Sequence, residues 1–390
     1  MEIAIASTTR FKSLVCSGCS AAYDENKIHT FSTCCIKPLS AQYFTANMVN
    51  KSELYGRENS MWRYREMLPL FDEKNRVTLG EGMTPIINWP NLSSKYGFEH
   101  LMIKDEGLNP TGSFKARGLS MAVSKAKELG IKSCVIPTAG NAGGAMSAYC
   151  AQADIKSTVI MPENTPRLFK EECEMYGAEL MLIDGLIDDC GRVAEQIAAK
   201  SGAFNMSTLK EPYRLEGKKT MGYEIAEQLN WTLPDIILYP TGGGTGLIGI
   251  WKAFHEMIEM GWLSPKVKLP RMIAVQSSLC SPVYDVFNNR KAVKYEMSIA
   301  NGLSVPKAFG MDMIMKVLKE SEGTAVVVSE QKILSGVKEI GSSEGMLISP
   351  EGAVIWEALK MMLEQRMVSG REKIMLLNTG SGFKYMENFR

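Results

Sequence analysis

The chain has no excess of charge of either sign. Across 390 residues, 44 Lys and Arg face 43 Asp and Glu, a formal net charge of +1. Without a basic excess, neither nucleic acid nor an anionic membrane surface is expected as a partner. No leader is evident: the first thirty residues, from Met1-Glu2-Ile3-Ala4-Ile5 onward, contain neither a basic n-region nor an unbroken apolar h-region. Long hydrophobic runs are missing too, because apolar stretches meet Lys, Glu or Gly well short of the roughly 18 residues of a spanning helix. There is no internal repeat and no low-complexity tract. The expectation is a soluble cytoplasmic protein. With 45% hydrophobic and 22% charged residues, disorder is excluded, and the length allows two or three domains with their own cores. Small-molecule chemistry in a cleft is the default function.

A disulfide framework is not expected either. The nine cysteines are odd in number, and Cys134, Cys150, Cys173, Cys190 and Cys280 stand singly in apolar or amphipathic segments, as reduced core thiols do. The N-terminal cluster differs. Cys16-Ser17-Gly18-Cys19, then Cys34-Cys35 with His29 between, has the first half of a zinc-ribbon spacing but no second Cys-x-x-Cys knuckle. Cys16, Cys19 and Cys34 are the candidate ligands of a structural zinc. Adjacent Cys34 and Cys35 are not expected to reach one ion without a strained backbone, so plain packing cysteines are the other reading.

After an irregular N-terminal segment to about Arg76, short apolar runs alternate with amphipathic ones. Leu101-Met102-Ile103 precedes a helical pattern over 116–129, Cys134 to Pro137 precedes 143–153, and Ser157 to Met161 precedes 166–176. The alternation continues with 179–183 before 188–200, 235–239 before 246–260, then 271–275, 325–328 and 373–378. This is the signature of βαβ units: an α/β fold with mostly parallel sheets and helices on both faces. Such sheets hold ligands at the carboxyl ends of their strands.

Three strand-to-helix loops stand out there. In Asn109-Pro110-Thr111-Gly112-Ser113-Phe114-Lys115, Ser113 is placed to cap a helix, and Lys115 lies in its first turn, where the helix dipole disfavours a cation and eases deprotonation. A solvated surface lysine is the plain alternative. In Thr138-Ala139-Gly140-Asn141-Ala142-Gly143, small residues open a helix whose N–H groups can hold an anion, and Asn141 can bond a ligand oxygen; an unliganded turn explains it as well. In Pro240-Thr241-Gly242-Gly243-Gly244-Thr245-Gly246, consecutive glycines let N–H groups converge on a phosphate, with Thr245 adding a hydroxyl. No Lys-Ser/Thr follows, so this is not a Walker loop, and the spacing does not match a dinucleotide fingerprint. A fourth segment, Lys373 to Asn378, runs into Thr379-Gly380-Ser381-Gly382 and puts a hydroxyl at a buried strand's end.

These four segments, in this order, resemble the fold type II pyridoxal 5′-phosphate enzymes, the tryptophan synthase β-subunit group, over about residues 60–390. Within that group the similarity is to threonine synthases, through Ser60 to Pro69, Leu79 to Pro85 and Tyr213 to Thr220. The resemblance implies pyridoxal 5′-phosphate as cofactor, with Lys115 as Schiff-base lysine and general base. It places Asn141 at the cofactor's 3′-oxygen, Gly242, Gly243, Gly244 and Thr245 at its phosphate, and Thr379 at its pyridine nitrogen. A neutral hydroxyl there, unlike an Asp, leaves the nitrogen unprotonated and suits elimination and replacement at the β and γ carbons. Thr138, Ala139, Gly140, Asn141 and Arg214 would bind an amino-acid substrate, Arg214 taking its phosphate, with Lys218, Lys219 and Asn205 as further candidates. The implied reaction turns O-phospho-L-homoserine and water into L-threonine and phosphate.

Ala139 and Ala142 depart from the hydroxyl residues that threonine synthases carry around that Asn. The alternatives are a threonine or serine ammonia-lyase, or a β-replacement enzyme acting on O-phosphoserine. The implied architecture is two doubly wound, mostly parallel-sheet domains. A large one spans 77–115 and 210–390, a small mobile one 116–209, behind an arm over 1–76. A homodimer is usual in the family.

Overall fold

A computed structural model describes residues 9–46, 48–291 and 293–389. Residues 1–8, part of the stretch read above for a leader, lie outside the described residues. The chain begins with β1 (Phe11–Cys16), β2 (Ala22–Tyr23), β3 (Leu39–Tyr43), β4 (Ile86–Asn88), α1 (Pro90–Tyr96) and β5 (His100–Asp105). Next come α2 (Lys115–Glu128), β6 (Ser133–Pro137), α3 (Asn141–Ala153), β7 (Lys156–Pro162), α4 (Arg167–Met175), β8 (Glu179–Ile183), α5 (Ile187–Ser201) and β9 (Phe204–Asn205). The rest comprises α6 (Tyr213–Gln228), β10 (Ile236–Pro240), α7 (Thr245–Glu259), β11 (Arg271–Ser277), α8 (Pro282–Phe287), α9 (Met311–Glu320), β12 (Thr324–Val328), α10 (Glu330–Glu344), α11 (Pro350–Glu364) and β13 (Lys373–Asn378).

Two sheets carry the α/β architecture. One has six strands in the order β12-β11-β10-β13-β5-β4, parallel except for β4, which runs antiparallel to β5. The other has four parallel strands in the order β8-β7-β6-β9. In the larger sheet, strand alternation sends side chains into two cores. Ile236, Leu238, Ile273, Val275, Ile374 and Leu376 meet α10 and α11. Ile237, Tyr239, Met272, Ala274, Met375 and Leu377 meet α6 and α7. Both faces are covered, which is why these strands read as unbroken apolar runs rather than as alternation. Local signals set the helix ends: Ser349 Oγ accepts the Gly352 N–H at 3.2 Å ahead of Pro350, and Gly345, at φ 67°, stops α10.

The N-terminal segment is more ordered than its sequence implied. β1 pairs antiparallel with both β2 and β3, and Phe11, Leu14, Cys16, Leu39 and Ala41 bury against a core shared with α2 and α3. The register shift between Phe11 and Ser13 breaks the period of two that would have revealed a strand. No helix among the described residues is long and apolar enough to cross a membrane.

A buried charge network joins the helix that starts at Lys115 to the large sheet. Arg117 donates through Nε and Nη2 to Glu106 at 2.6 and 2.7 Å, and through Nη2 to Glu224 at 2.7 Å. Lys104 donates to the same Glu224 at 2.7 Å and to the Thr84 carbonyl at 2.7 Å. All four charged side chains have 0% exposure. Two cations balance two anions, so nothing is left unpaired. Burial alone would raise the Glu224 carboxyl, but Arg117 and Lys104 hold it down at about 2.

Replacing Arg117 with Met should therefore lower the unfolding free energy by about 3–5 kcal/mol, because two carboxylates stay buried without their guanidinium. Denaturant titration measures this; a loss below about 1 kcal/mol, the range of an exposed pair, would mean the site opens to water. Glu224's contribution in the wild type is present above the ordinary carboxyl value of 4.5 and is lost as pH falls toward about 2.

Candidate active site

The carboxyl ends of β6, β10 and β13 open onto one cavity of about 470 Å³, and the loops singled out in the sequence meet there. Lys115, Thr138 to Ala142, Gly242 to Gly246 and Thr379 all line it. The lysine loop is laced onto the end of β13: Phe114 N–H donates to the Thr379 carbonyl at 3.1 Å, and Ser381 N–H to the Gly112 carbonyl at 2.9 Å. Ser113 does not cap α2 as its position implied. It is extended, at φ −163°, bridges Gly380, and keeps its hydroxyl buried without a partner, while Phe114 occupies the cap position. Strand-like pairing with Gly380 competes for the backbone and wins.

Lys115 is the first residue of α2, and its residual surface opens on the cavity. Its Nζ lies 4.1 Å from the Phe114 ring centroid. Burial pushes its amine from the ordinary 10.5 down to about 7, Arg214 adds to the effect, and Glu351 partly opposes it. A large share of the amine is thus unprotonated at neutral pH, the state a nucleophile or base requires.

In the second loop, Gly140 has φ 151° and ψ −112°, which a side chain would resist, and its N–H donates to Thr138 Oγ1 at 3.0 Å. This turn delivers Asn141 to the start of α3. Asn141 Nδ2 donates to Tyr385 Oη at 3.0 Å, leaving Oδ1 buried and unpartnered. Tyr385 Oη in turn donates to Glu351 Oε1 at 3.0 Å, which also accepts the Gly302 N–H at 2.9 Å, while Glu351 Oε2 has no partner. In the third loop, Gly244 at φ 77° turns the chain into α7, and Lys218 Nζ donates to Thr245 Oγ1 at 2.7 Å.

The other sequence candidates scatter. Arg214 is buried on α6 and is not a lining residue; its Nη1 donates to the carbonyl of Met206, just before the lining residues Ser207 and Thr208, and its Nε is unpartnered. Lys219 turns away, paired with Glu216 and Glu256 at 2.7 and 3.0 Å. Asn205 Oδ1 accepts the Ser207 N–H and hydroxyl at 2.9 and 2.6 Å. Glu351 and Tyr385 were not anticipated. Ser349-Pro350-Glu351 reads as an ordinary capped helix start, and an acid there complements the dipole, so nothing marked it as a cavity residue.

In the N-terminal segment, Cys35 joins Cys16, Cys19 and Cys34, with all four Sγ atoms within 4.8 Å of one another. Cys35 thus joins the three candidate ligands read from the sequence, and the strained backbone expected of such an adjacent pair is present next to it. Ile36 adopts φ 54° after the pair, as Ser20 adopts φ 63° after Cys19, and these left-handed turns bring both thiols round.

The cavity suits a phosphorylated pyridine aldehyde. It offers an amine lowered to about 7, a glycine turn at the start of a 15-residue helix, and the lining residues Thr245 and Thr379 with their hydroxyls. The sequence profile described as "Pyridoxal-phosphate dependent enzyme" matches residues 77–380. The chain belongs to this family of pyridoxal-phosphate-dependent enzymes, with the fold type II architecture. It is 31% identical over 382 residues to a threonine synthase of Methanocaldococcus jannaschii, covering 95% of this chain and 92% of that one. A threonine synthase of Methanosarcina acetivorans is 30% identical over 379 residues, covering 94% and 91%. Maize serine racemase superposes with a TM-score of 0.65 at 22% identity, over 77% of this chain and 88% of its own, which shows the shared fold.

For the apo-protein, the rate of covalent capture of pyridoxal 5′-phosphate should rise with pH through a midpoint near 7 rather than near 10.5, since only the neutral amine attacks. Lys115→Ala should abolish the visible absorbance of the bound cofactor; an unchanged spectrum would remove Lys115 from the site.

Proposed function

We propose that this enzyme is a threonine synthase, a lyase that releases phosphate from O-phospho-L-homoserine and adds water to yield L-threonine. The observation that carries the reading is its near end-to-end similarity, over 91–92% of their lengths, to two threonine synthases. When bound, the cofactor supplies the electron sink that stabilises carbanions on the substrate. Lys115 would anchor its aldehyde and, once the substrate's own amine displaces the lysine from that carbon, would as a neutral amine take the proton from the substrate's α carbon. Gly242, Gly243, Gly244 and Thr245 would hold the cofactor's phosphate, Thr379 its ring nitrogen and Asn141 its 3′-oxygen, all of them residues that line the cavity. Thr138, Ala139, Gly140 and Asn141 receive the substrate's carboxylate at the start of α3.

The expelled phosphate requires a second anion-binding site. Arg214 serves that role in this reading: its Nη1 donates to the Met206 carbonyl, next in sequence to the lining residues Ser207 and Thr208, and its Nε is unpartnered. One observation favours a second reading. Ala139 and Ala142 put methyl groups on the cavity wall, which a threonine or serine ammonia-lyase, with no substrate phosphate to bind, would tolerate. Separate incubations with O-phospho-L-homoserine, L-threonine, and O-phosphoserine plus sulfite decide among them by inorganic phosphate and 2-oxo acid. Phosphate and threonine from the first are expected. No phosphate there, with 2-oxobutyrate from threonine, would overturn the reading. Arg214→Ala should raise KM for the phosphorylated substrate far more than for an unphosphorylated amino acid.

We also propose a structural zinc on Cys16, Cys19, Cys34 and Cys35. Four thiolates at about 2.3 Å from an ion are compatible with sulfurs gathered within 4.8 Å, and Cys16 Sγ already accepts the Gly18 N–H at 3.3 Å. Purified protein should carry about one zinc per chain by elemental analysis, lost in Cys16→Ser; a metal-free protein with four titratable thiols would remove the ion.

A further inference from the structure

The four fully buried lysines differ in their partners. Lys104, Lys125 and Lys219 each have a carboxylate oxygen within 2.6–2.7 Å. Lys218, at 1% exposure, has none within 4 Å among the described residues. The contrast with Lys219 is the sharper because the two are adjacent on α6. Lys219 turns to Glu216 and Glu256, whereas Lys218 points from another face of the helix and lines the cavity. There it donates to Thr245 Oγ1 at 2.7 Å and lies 4.8 Å from the Phe114 ring centroid, the ring that Lys115 also faces. Nearby cations add to its isolation. Burial lowers its amine well below the ordinary range, Arg214 and Lys115 lower it further, and Glu211 alone opposes them.

A buried ammonium without a counter-ion is costly unless an anion arrives to meet it. Its hydrogen-bond partner Thr245 is the first residue of α7 and follows the glycine turn, whose N–H groups and helix dipole favour negative charge. A lysine, a hydroxyl and a helix N-terminus therefore face one point, and their common ligand is a phosphate dianion. Size also fits: a Cβ on Gly118 would sit 3.0 Å from Lys218 Cε and 2.9 Å from the Arg214 carbonyl, so α2 presses the lysine stem from behind and holds its direction.

We infer that Lys218 is a cofactor-binding residue of this chain, neutralising the 5′-phosphate of pyridoxal 5′-phosphate in the Gly242 to Thr245 turn. This rests on the cofactor and not on the choice of amino-acid substrate, so it survives if the threonine synthase reading fails. The cradle is then charge-assisted rather than built from backbone N–H groups alone, and Lys218 is separate from Arg214, which is left for the substrate.

The test titrates apo-protein with pyridoxal 5′-phosphate and, in parallel, with pyridoxal, which lacks the phosphate. Lys218→Gln should weaken the phosphorylated aldehyde about tenfold or more, the scale of one hydrogen bond to a charged group, and leave pyridoxal nearly unaffected. Lys218→Arg should recover part of the loss. Equal weakening of both aldehydes would mean a structural role and overturn the inference. So would unchanged cofactor binding with a raised KM for a phosphorylated substrate alone, which would assign Lys218 to the substrate's phosphate. If neither variant folds, wild-type apo-protein still decides: pyridoxal 5′-phosphate reduced onto the protein should shield Lys218 from acetic anhydride in peptide mass mapping. Reduced pyridoxal should shield it far less, and equal labelling in the two would refute the inference.

Discussion

Everything catalytic in this chain depends on where α2 sits, and α2 is held by a buried guanidinium. Arg117, two residues beyond Lys115, meets Glu106 from the loop after β5 and Glu224 from α6, with Lys104 completing a neutral set of four. Such networks are poor sources of net stability but severe about geometry, because any displacement leaves a charge uncompensated in a dry interior. Gly118 and Gly217 let the two helices approach until a Cβ on Gly217 would overlap the Arg117 carbonyl at 2.0 Å. The consequence reaches the cavity. With α2 and α6 locked together, Lys115 and Lys218 are presented side by side over Phe114, and Arg214 lies close enough to depress both.

The near-zero net charge therefore hides a strongly uneven distribution. Lys115, Lys218 and Arg214 gather in one interior region against Glu211 and Glu351, while Arg117 and Lys219 are each met directly by two carboxylates. A protein meant to bind anions need not be basic overall. It needs cations that are dehydrated in advance, so that a phosphate gains in a low-dielectric setting what it could not gain at a wet surface. The same dehydration makes Lys115 a usable base near neutral pH. One physical cause, burial without a paired acid, thus serves both phosphate affinity and proton transfer.

In the same cavity, Asn141, Tyr385 and Glu351 form a relay across elements more than two hundred residues apart in sequence, and its two ends, Asn141 Oδ1 and Glu351 Oε2, lack partners. Orphaned acceptors that are buried are rare in proteins and point to donors a ligand brings.

By itself the sequence determined the α/β alternation, the strand-to-helix loops at Lys115, Asn141 and Gly242 to Thr245, and the hydroxyl at Thr379. These signals are local, since helix and strand periods, glycine turns and small residues at helix starts act over a few positions. Only the tertiary structure decided that Ser113 pairs with Gly380 instead of capping α2, and that Cys35 joins the other N-terminal thiols. It alone separated Lys218 from Lys219 and brought Glu351 and Tyr385 to the cavity. Each of these depends on contacts between distant segments or on the rotational phase of a helix against its neighbours. Two lysines next to each other are alike in a sequence; a turn of about 100° along α6 puts one against two carboxylates and the other against Thr245 at the glycine turn.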